Sequence, residues 1–142
     1  MQLDAVSFVV VDTETTGSGP ADRIIELAAV RVQGGRIVDR FATLINPGRS
    51  VPPFITRLTG ITTAMLVGRP SADEVLPDFL DFLGDGVLVA HNLAFDRKML
   101  EAELQRIGLL WPGNPTLCTL RLARRLLPGL PAKGLDGLIR FY

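Results

Sequence analysis

Val9-Val10-Val11-Asp12-Thr13-Glu14-Thr15-Thr16-Gly17 is the stretch that decides the fold of this chain. The apolar run Val6 to Val11 is rich in β-branched residues, which is typical of a buried strand, and it ends in two carboxylates one residue apart. Side chains alternate along a strand, so Asp12 and Glu14 point to one face while Thr13 points to the other.

Two carboxylates on one face of a strand repel each other, and burying them without a partner costs free energy. No lysine or arginine is nearby in the sequence. A hard divalent cation such as Mg²⁺ or Mn²⁺ is therefore the counter-charge that the pattern favours. The alternative is an ordinary strand end with solvated acids, and this stretch alone does not separate the two.

The composition predicts one globular domain. Of the 142 residues, 47% are hydrophobic and 21% are charged, which favours a real core over disorder. The net charge of zero argues against a protein that coats nucleic acid over a long basic face, but not against an enzyme that grips a few nucleotides. The single cysteine, Cys118, suits a reducing compartment, and we interpret it as a small buried hydrophobic residue. Without a signal-peptide pattern or a run of transmembrane length, we expect a cytoplasmic protein with no membrane partner.

The hydrophobic pattern predicts three strands, then helices that alternate with two short strands. The turn Gly34-Gly35 joins the second and third strands into an antiparallel meander. Ser71 followed by Glu74 predicts a capping box at the start of the longest early helix. This order indicates an α/β fold with a mixed sheet flanked by helices. The predicted strands are 6–11, 24–32, 37–45, 87–90 and 117–118, and the predicted helices are 54–58, 64–67, 71–83, 94–107, 119–127 and 135–142.

A second polar cluster follows the strand 87–90. His91 and Asn92 end that strand, and the next helix carries Asp96 in its first turn. An aspartate there complements the helix dipole, and Asn92 could simply cap the helix. His91 is the only histidine, and a structural hydrogen bond is the commoner role for such a residue.

Together the two clusters resemble the DnaQ-like, or DEDD, 3′→5′ exonucleases. That family's first motif is a strand ending in Asp-x-Glu, here residues 12–17, and its second is His-Asn, two residues, Phe-Asp, here residues 91–96. The likeness covers the whole chain and is strongest towards the bacterial DNA polymerase III epsilon group. It implies the ribonuclease H-like fold, an α/β fold with a mixed five-stranded sheet (three antiparallel strands, then parallel strands) flanked by helices. Segments 23–28, 58–62 and 135–138 also resemble family elements.

The resemblance implies a metal-dependent exonuclease that releases nucleoside monophosphates from the 3′ end of DNA, or of RNA. Asp12 would bridge two Mg²⁺ or Mn²⁺ ions, Glu14 would hold the ion that activates water, and Asp96 would hold the second ion, largely through water. The implied partners are a single-stranded 3′ end and a DNA polymerase, or a fused polymerase or helicase, in proofreading during DNA replication.

The resemblance also implies contacts to the terminal nucleotide. Thr15 and Thr16 would lie near its sugar and phosphate, Ile61 would stack on its base, Phe95 would pack beside it, and Asn92 would lie near the scissile phosphate. Each has a structural alternative as a turn, core or capping residue. A solvated helix face is favoured for the remaining candidates, Arg121, Arg124 and Arg125. The alternative is that they steer a nucleic-acid strand electrostatically.

The family's third motif, which supplies a fourth carboxylate and a His or Tyr base, is not found in the 142 residues. Asp136 matches a family residue that is not a ligand, and we interpret Tyr142 as non-catalytic. We therefore expect an exonuclease domain over residues 1–142 that is incomplete at its C-terminal end, with weak metal binding, little activity, and an exposed apolar groove that favours self-association. The alternative is a non-catalytic fragment that binds nucleic acid or a polymerase.

Overall fold

A five-stranded mixed sheet forms the centre of the computed structural model, which describes residues 2–142. The strand order is β3-β2-β1-β4-β5. β2 is antiparallel to both β1 and β3, whereas β4 is parallel to β1 and to β5. The predicted fold class is thus confirmed. The strands are β1 Phe8–Thr15, β2 Ile24–Gln33, β3 Arg36–Leu44, β4 Val87–Ala90 and β5 Thr116–Cys118.

Within residues 2–142, six α-helices and a short 3₁₀ helix, Leu3–Ala5, flank the sheet. Their bounds lie within two residues of the predicted ones. No helix within residues 2–142 is long and apolar enough to cross a membrane. The helices are α1 Pro53–Thr59, α2 Thr63–Leu66, α3 Ala72–Leu83, α4 Leu93–Arg106, α5 Thr119–Leu126 and α6 Leu135–Phe141.

The starts of α2 and α3 differ in their side-chain caps. The Thr62 hydroxyl accepts a hydrogen bond from the Met65 N–H at 3.2 Å and caps α2. Ser71 stands at the N-cap of α3, but its side chain makes no capping hydrogen bond, so the predicted capping box is wrong. Asp73 and Glu74 in the first turn still favour this start, because acids complement the positive end of the helix.

β1 is longer than predicted. The sequence placed its end at Val11, but pairing with β2 continues through Asp12, opposite Ala28, and Glu14, opposite Glu26. The register becomes irregular only between Glu14 and Thr15. The two carboxylates therefore lie on a regular strand, whose backbone fixes their spacing.

The main core lies between one face of the sheet and helices α3 and α4. Val9 and Val11 of β1 pack there against the buried faces of both helices. The opposite face of the sheet is apolar but open: Val10 is 36% exposed and lies in a cavity of about 340 Å³. A second, smaller cluster joins α1 and α2 to β2 through Ile25, Val51, Ile55, Ile61 and Leu66.

A buried ion pair ties α4 to the start of β2. Glu103 on α4 is 1% exposed, and its carboxylate accepts hydrogen bonds from Arg23 Nε at 2.8 Å and Arg23 Nη2 at 3.0 Å. The Ile24 N–H donates to the same carboxylate at 3.1 Å. This pair positions α4, the helix whose first turn carries Asp96.

Candidate active site

Asp12 and Glu14 project from the same side of β1. Asp12 is exposed and Glu14 half-buried, whereas Thr13 between them is buried, as strand alternation requires. Burial raises the pKa of Glu14, and the neighbouring carboxylates of Asp12, Glu26 and Asp96 raise it further. The site therefore carries negative charge that the surrounding residues do not neutralise.

Asp96 joins these two acids from the first turn of α4. It is 4% exposed, and its Oδ1 accepts hydrogen bonds from Thr13 Oγ1 at 2.7 Å and Thr13 N at 3.2 Å. Burial raises the pKa of Asp96 to about 6, against the opposing effect of the Thr13 hydroxyl and with a further contribution from Asp12. Strand β1 and helix α4 thus hold the third predicted carboxylate beside the first two.

Asp12, Glu14 and Asp96 offer the oxygen ligands of a metal site, although their side chains are not arranged around one ion position. Within residues 2–142, no group of three His, Cys, Asp or Glu side chains is arranged to hold a metal ion. The pKa values of Glu14 and Asp96 are nevertheless raised, first by burial and then by neighbouring acids, and a divalent cation would neutralise these charges. Carboxylate oxygens are the ligands that Mg²⁺ prefers, so the donor set fits such an ion.

The loop after Glu14 is fixed by its own threonines. Thr15 Oγ1 donates to the Gly17 carbonyl at 2.6 Å, and Thr16 Oγ1 donates to Asp22 Oδ1 at 2.8 Å. The Arg23 N–H donates to Thr16 Oγ1 at 2.9 Å. Both predicted substrate-binding hydroxyls are therefore committed to the turn, and both residues are buried.

A cavity of about 320 Å³, the Phe95 cavity, opens beside Glu14. Thr15 and Phe95 line it as two of the predicted substrate residues. Sequence analysis missed Phe54 and Leu58, which form its other wall from α1 and are 55% and 77% exposed. The sequence feature that could have revealed them is a pair of apolar residues four positions apart on a short helix. In the structure that helix buries only Ile55.

Ile61 and Asn92 lie outside the Phe95 cavity. Ile61 is 4% exposed and belongs to the small cluster around Ile25. Asn92 has a left-handed backbone with φ of 60° and makes no side-chain cap, so the capping alternative is wrong. It lines a separate cavity near Arg97. His91 Nδ1 lies 3.0 Å from Thr119 Oγ1, the structural hydrogen bond expected of it.

Comparison with known proteins identifies relatives. The family model for exonucleases, RNase_T, matches residues 9–142. A Mycobacterium tuberculosis (strain CDC 1551 / Oshkosh) protein, provisionally named a bifunctional exonuclease/endonuclease, is 52% identical over 134 residues, covering 89% of this chain and 21% of that protein. DNA polymerase III subunit epsilon of Aquifex aeolicus (strain VF5) is 48% identical over 125 residues, covering 87% of this chain and 62% of that protein.

The solved structures include a close match as well. Exonuclease X in complex with 5′ overhanging duplex DNA superposes with a TM-score of 0.77 at 32% identity, covering 94% of this chain and 72% of that chain. The chain spans less than two thirds of the length of each curated relative described above.

Proposed function

The chain belongs to the RNase_T family of DnaQ-like exonucleases, and on this premise we propose that it is a 3′→5′ exonuclease domain. It would hydrolyse the terminal phosphodiester of a DNA strand and release nucleoside monophosphates. The observation that carries the proposal is the meeting of Asp12, Glu14 and Asp96 beside the Phe95 cavity, where the pKa of Glu14 is raised by burial and by the neighbouring acids.

Asp12, Glu14 and Asp96 would hold two divalent cations, Mg²⁺ or Mn²⁺. When bound, such ions supply an activated water and stabilise the charge on the phosphate and the leaving oxygen. Thr13 holds Asp96 in place through two hydrogen bonds. The turn after Glu14 keeps that end of β1 fixed, so the carboxylates are preorganised for a substrate phosphate.

The Phe95 cavity would receive the 3′-terminal nucleotide. Phe95, Phe54 and Leu58 offer apolar surface, and stacking on such surface tolerates every base. A sequence-tolerant pocket suits an enzyme that removes whichever nucleotide occupies the end. The similarity to a DNA polymerase III epsilon subunit supports DNA as the substrate, a polymerase as the partner and proofreading as the role.

We further propose that residues 1–142 alone hydrolyse DNA slowly. Three carboxylates lie at the site, whereas the family resemblance implies four carboxylates and a general base for two-metal hydrolysis. A general base alone contributes about 10²–10⁴-fold to the rate.

The test is a nuclease assay on 5′-labelled single-stranded DNA with Mg²⁺ or Mn²⁺. We expect slow shortening from the 3′ end, release of nucleoside monophosphates, and loss of the activity in Asp12→Asn. Asp136→Asn is the matched control, because Asp136 is exposed on α6 and should leave the rate unchanged. Shortening from the 5′ end, or equal rates for Asp12→Asn and the wild type, would contradict the proposal.

A second candidate function is binding of nucleic acid without cleavage. It is favoured by the finding that no three potential ligands within residues 2–142 are arranged to hold an ion. Retained binding of 3′-hydroxyl oligonucleotide with no hydrolysis at any metal concentration would support this candidate over the first.

A further inference from the structure

A concentration of arginines lies beside the candidate active site. We call it the arginine groove and define it by Arg97, Arg121, Arg124 and Arg125. Two cavities, of about 370 Å³ and 330 Å³, form the groove between α4 and α5 and share Arg121 in their walls. No carboxylate lines either cavity. Because the chain has no net charge overall, the groove is a local excess of positive charge.

The charges of the groove are largely free to meet a ligand. Within residues 2–142, the guanidinium groups of the three α5 arginines take part in no ion pair. Arg97 Nε lies 3.8 Å from Glu101 Oε2, but both side chains are about half exposed and such a pair contributes little. The Arg97 guanidinium also stacks 4.9 Å from the centre of the Trp111 ring, which holds it in place at the groove wall.

The floor of the groove is positive as well. Burial alone would raise the pKa of the Cys118 thiol, but the backbone N–H groups of Arg121, Leu93, Leu120 and Asn92 together lower it. The N-terminal ends of α4 and α5 thus converge on this half-buried sulfur, and the Leu93 N–H lies 3.4 Å from it. Helix N-termini carry partial positive charge, so the backbone adds to the field of the arginines.

The groove and the Phe95 cavity both lie against the first turns of α4. β1, β4 and β5 are parallel, so their carboxyl ends meet at one end of the sheet, where both α4 and α5 begin. Phe95 lines the Phe95 cavity, Asp96 contacts Thr13, and Arg97 lines the groove. Residues two apart on a helix point about 200° apart, so a nucleic-acid strand that occupies both sites would cross the N-terminal end of α4.

We propose that the arginine groove binds the phosphodiester backbone of the single-stranded nucleic acid whose 3′ end occupies the Phe95 cavity. The placement of that 3′ end rests on the proposed function. Arginine suits this role because its planar guanidinium binds phosphate oxygens in pairs. The sequence alone favoured a solvated helix face for the α5 arginines. All three are exposed, as that interpretation expects. The observation that favours a binding role is that Arg97 reaches the same concave surface from a different helix.

The test compares two double variants of the 142-residue chain in chelator, where hydrolysis does not interfere. Arg121→Gln with Arg124→Gln removes two groove charges. The control variant, Arg36→Gln with Arg69→Gln, removes two exposed charges that line neither the groove nor the Phe95 cavity. Fluorescence anisotropy measures the affinity for a labelled 12-nucleotide single strand and for a labelled dinucleotide over a range of salt concentrations.

We expect the groove variant to lose about tenfold in affinity for the 12-mer, and the slope of log affinity against log salt to fall by about 1.4, since each single-strand phosphate contact contributes about 0.7. Its affinity for the dinucleotide, and the affinity of the control variant for both ligands, should match the wild type. Matched DNA and RNA 12-mers show which strand the groove prefers.

Equal losses in the two double variants would overturn the proposal, because they would reflect total charge alone. So would arginine-dependent binding of oligoglutamate as tight as that of the 12-mer, which would make the groove a non-selective anion surface. A wild-type chain that binds the 12-mer through the groove yet hydrolyses nothing would refute the proposed function and leave the groove standing. If the wild-type chain hydrolyses DNA but the groove variant binds the 12-mer as tightly as the wild type, the proposed function would stand and the groove proposal would be refuted.

Discussion

The hydroxyl of Thr13 donates a 2.7 Å hydrogen bond to Oδ1 of Asp96, and the Thr13 N–H donates a second bond to the same oxygen at 3.2 Å. Thr13 separates the two carboxylates of β1, and Asp96 is the carboxylate of α4. A residue that points away from Asp12 and Glu14 thereby positions the third acid of the site.

Thr13→Val should destabilise the chain and loosen Asp96. Valine keeps the shape but removes one of two hydrogen bonds to a buried carboxylate, which costs about 1–3 kcal/mol. The pKa of Asp96 should rise further, because the Thr13 hydroxyl lowers it. Urea unfolding and carboxyl NMR titration measure the two effects. Thr13→Ser retains the hydroxyl and should restore both, and a serine variant no better than valine would argue against the hydrogen bond as the cause.

Glu103→Ala should be among the most damaging single changes. It leaves Arg23 and Arg106 without their shared partner and the Ile24 N–H without an acceptor. Breaking a fully buried pair costs about 3–5 kcal/mol, and because both arginines are 29% exposed the loss should lie near the lower end of that range. Glu101→Ala on the same helix removes only an exposed pair, so its cost should be at most about 0.5 kcal/mol. Denaturant midpoints of the two variants measure the difference, and similar midpoints would show that the buried pair contributes little.

Stability of the metal-free chain should fall as pH rises from about 4 to 6. The folded state holds the Asp96 proton until its pKa of about 6, while the unfolded carboxyl releases it at about 3.8. The unfolded state therefore binds fewer protons in this window, and the free energy of unfolding decreases with pH. The total change should be no more than about 3 kcal/mol, because one pKa unit corresponds to 1.36 kcal/mol and solvent screening reduces it.

Chemical denaturation in chelator at several pH values measures this slope, and Asp96→Asn should remove most of it. An unchanged slope in Asp96→Asn would assign the pH dependence to other groups.

Gly17→Ala should disturb the turn after β1. A Cβ at Gly17 would lie 2.5 Å from Asp22 Oδ2. The Asp22 carboxylate is held in place because Thr16 Oγ1 donates to its Oδ1 and the Gly19 N–H donates to its Oδ2. Overpacking of this kind costs about 1–3 kcal/mol. At Gly113 an added Cβ meets nothing within 4 Å, so Gly113→Ala is the control and should be nearly neutral. Melting temperatures distinguish the two variants. If the contact with Asp22 is the cause, the double variant Gly17→Ala/Asp22→Ala should be little less stable than Asp22→Ala alone.

The sequence predicted those parts of the fold that rest on local patterns. The bounds of β2 and α3 were predicted to within one residue, because side-chain alternation runs through β2 and helical periodicity runs through α3. The end of β1 was missed because Asp12 to Glu14 are polar, and their strand conformation is imposed by pairing with β2. Tertiary pairing, which local propensity does not contain, decided that boundary.

The candidate site divides in the same way. The motifs pointed to Asp12, Glu14, Asp96 and Phe95, which the structure brings to one edge of the sheet. From the sequence, Thr13 was only expected to point to the opposite face of the strand, and Glu103 had no assigned role, since their partners lie 83 and 80 positions away. No spacing rule connects residues that far apart, so these contacts could be found only in the folded chain.

The two kinds of strand pairing also set an order of folding. β1, β2 and β3 are joined by short turns, and such local contacts form early. The parallel pairing of β1 with β4 must close the long segment between them, and loop closure of that length is entropically slow. Asp12 and Glu14 belong to the meander of β1, β2 and β3, which we expect to form early. Asp96 belongs to the part of the chain after β4, which we expect to pack against β1 later. We therefore expect a refolding chain to show its sheet signal before the carboxylates of Asp12, Glu14 and Asp96 come together, with a lag set by the closure of β1 on β4.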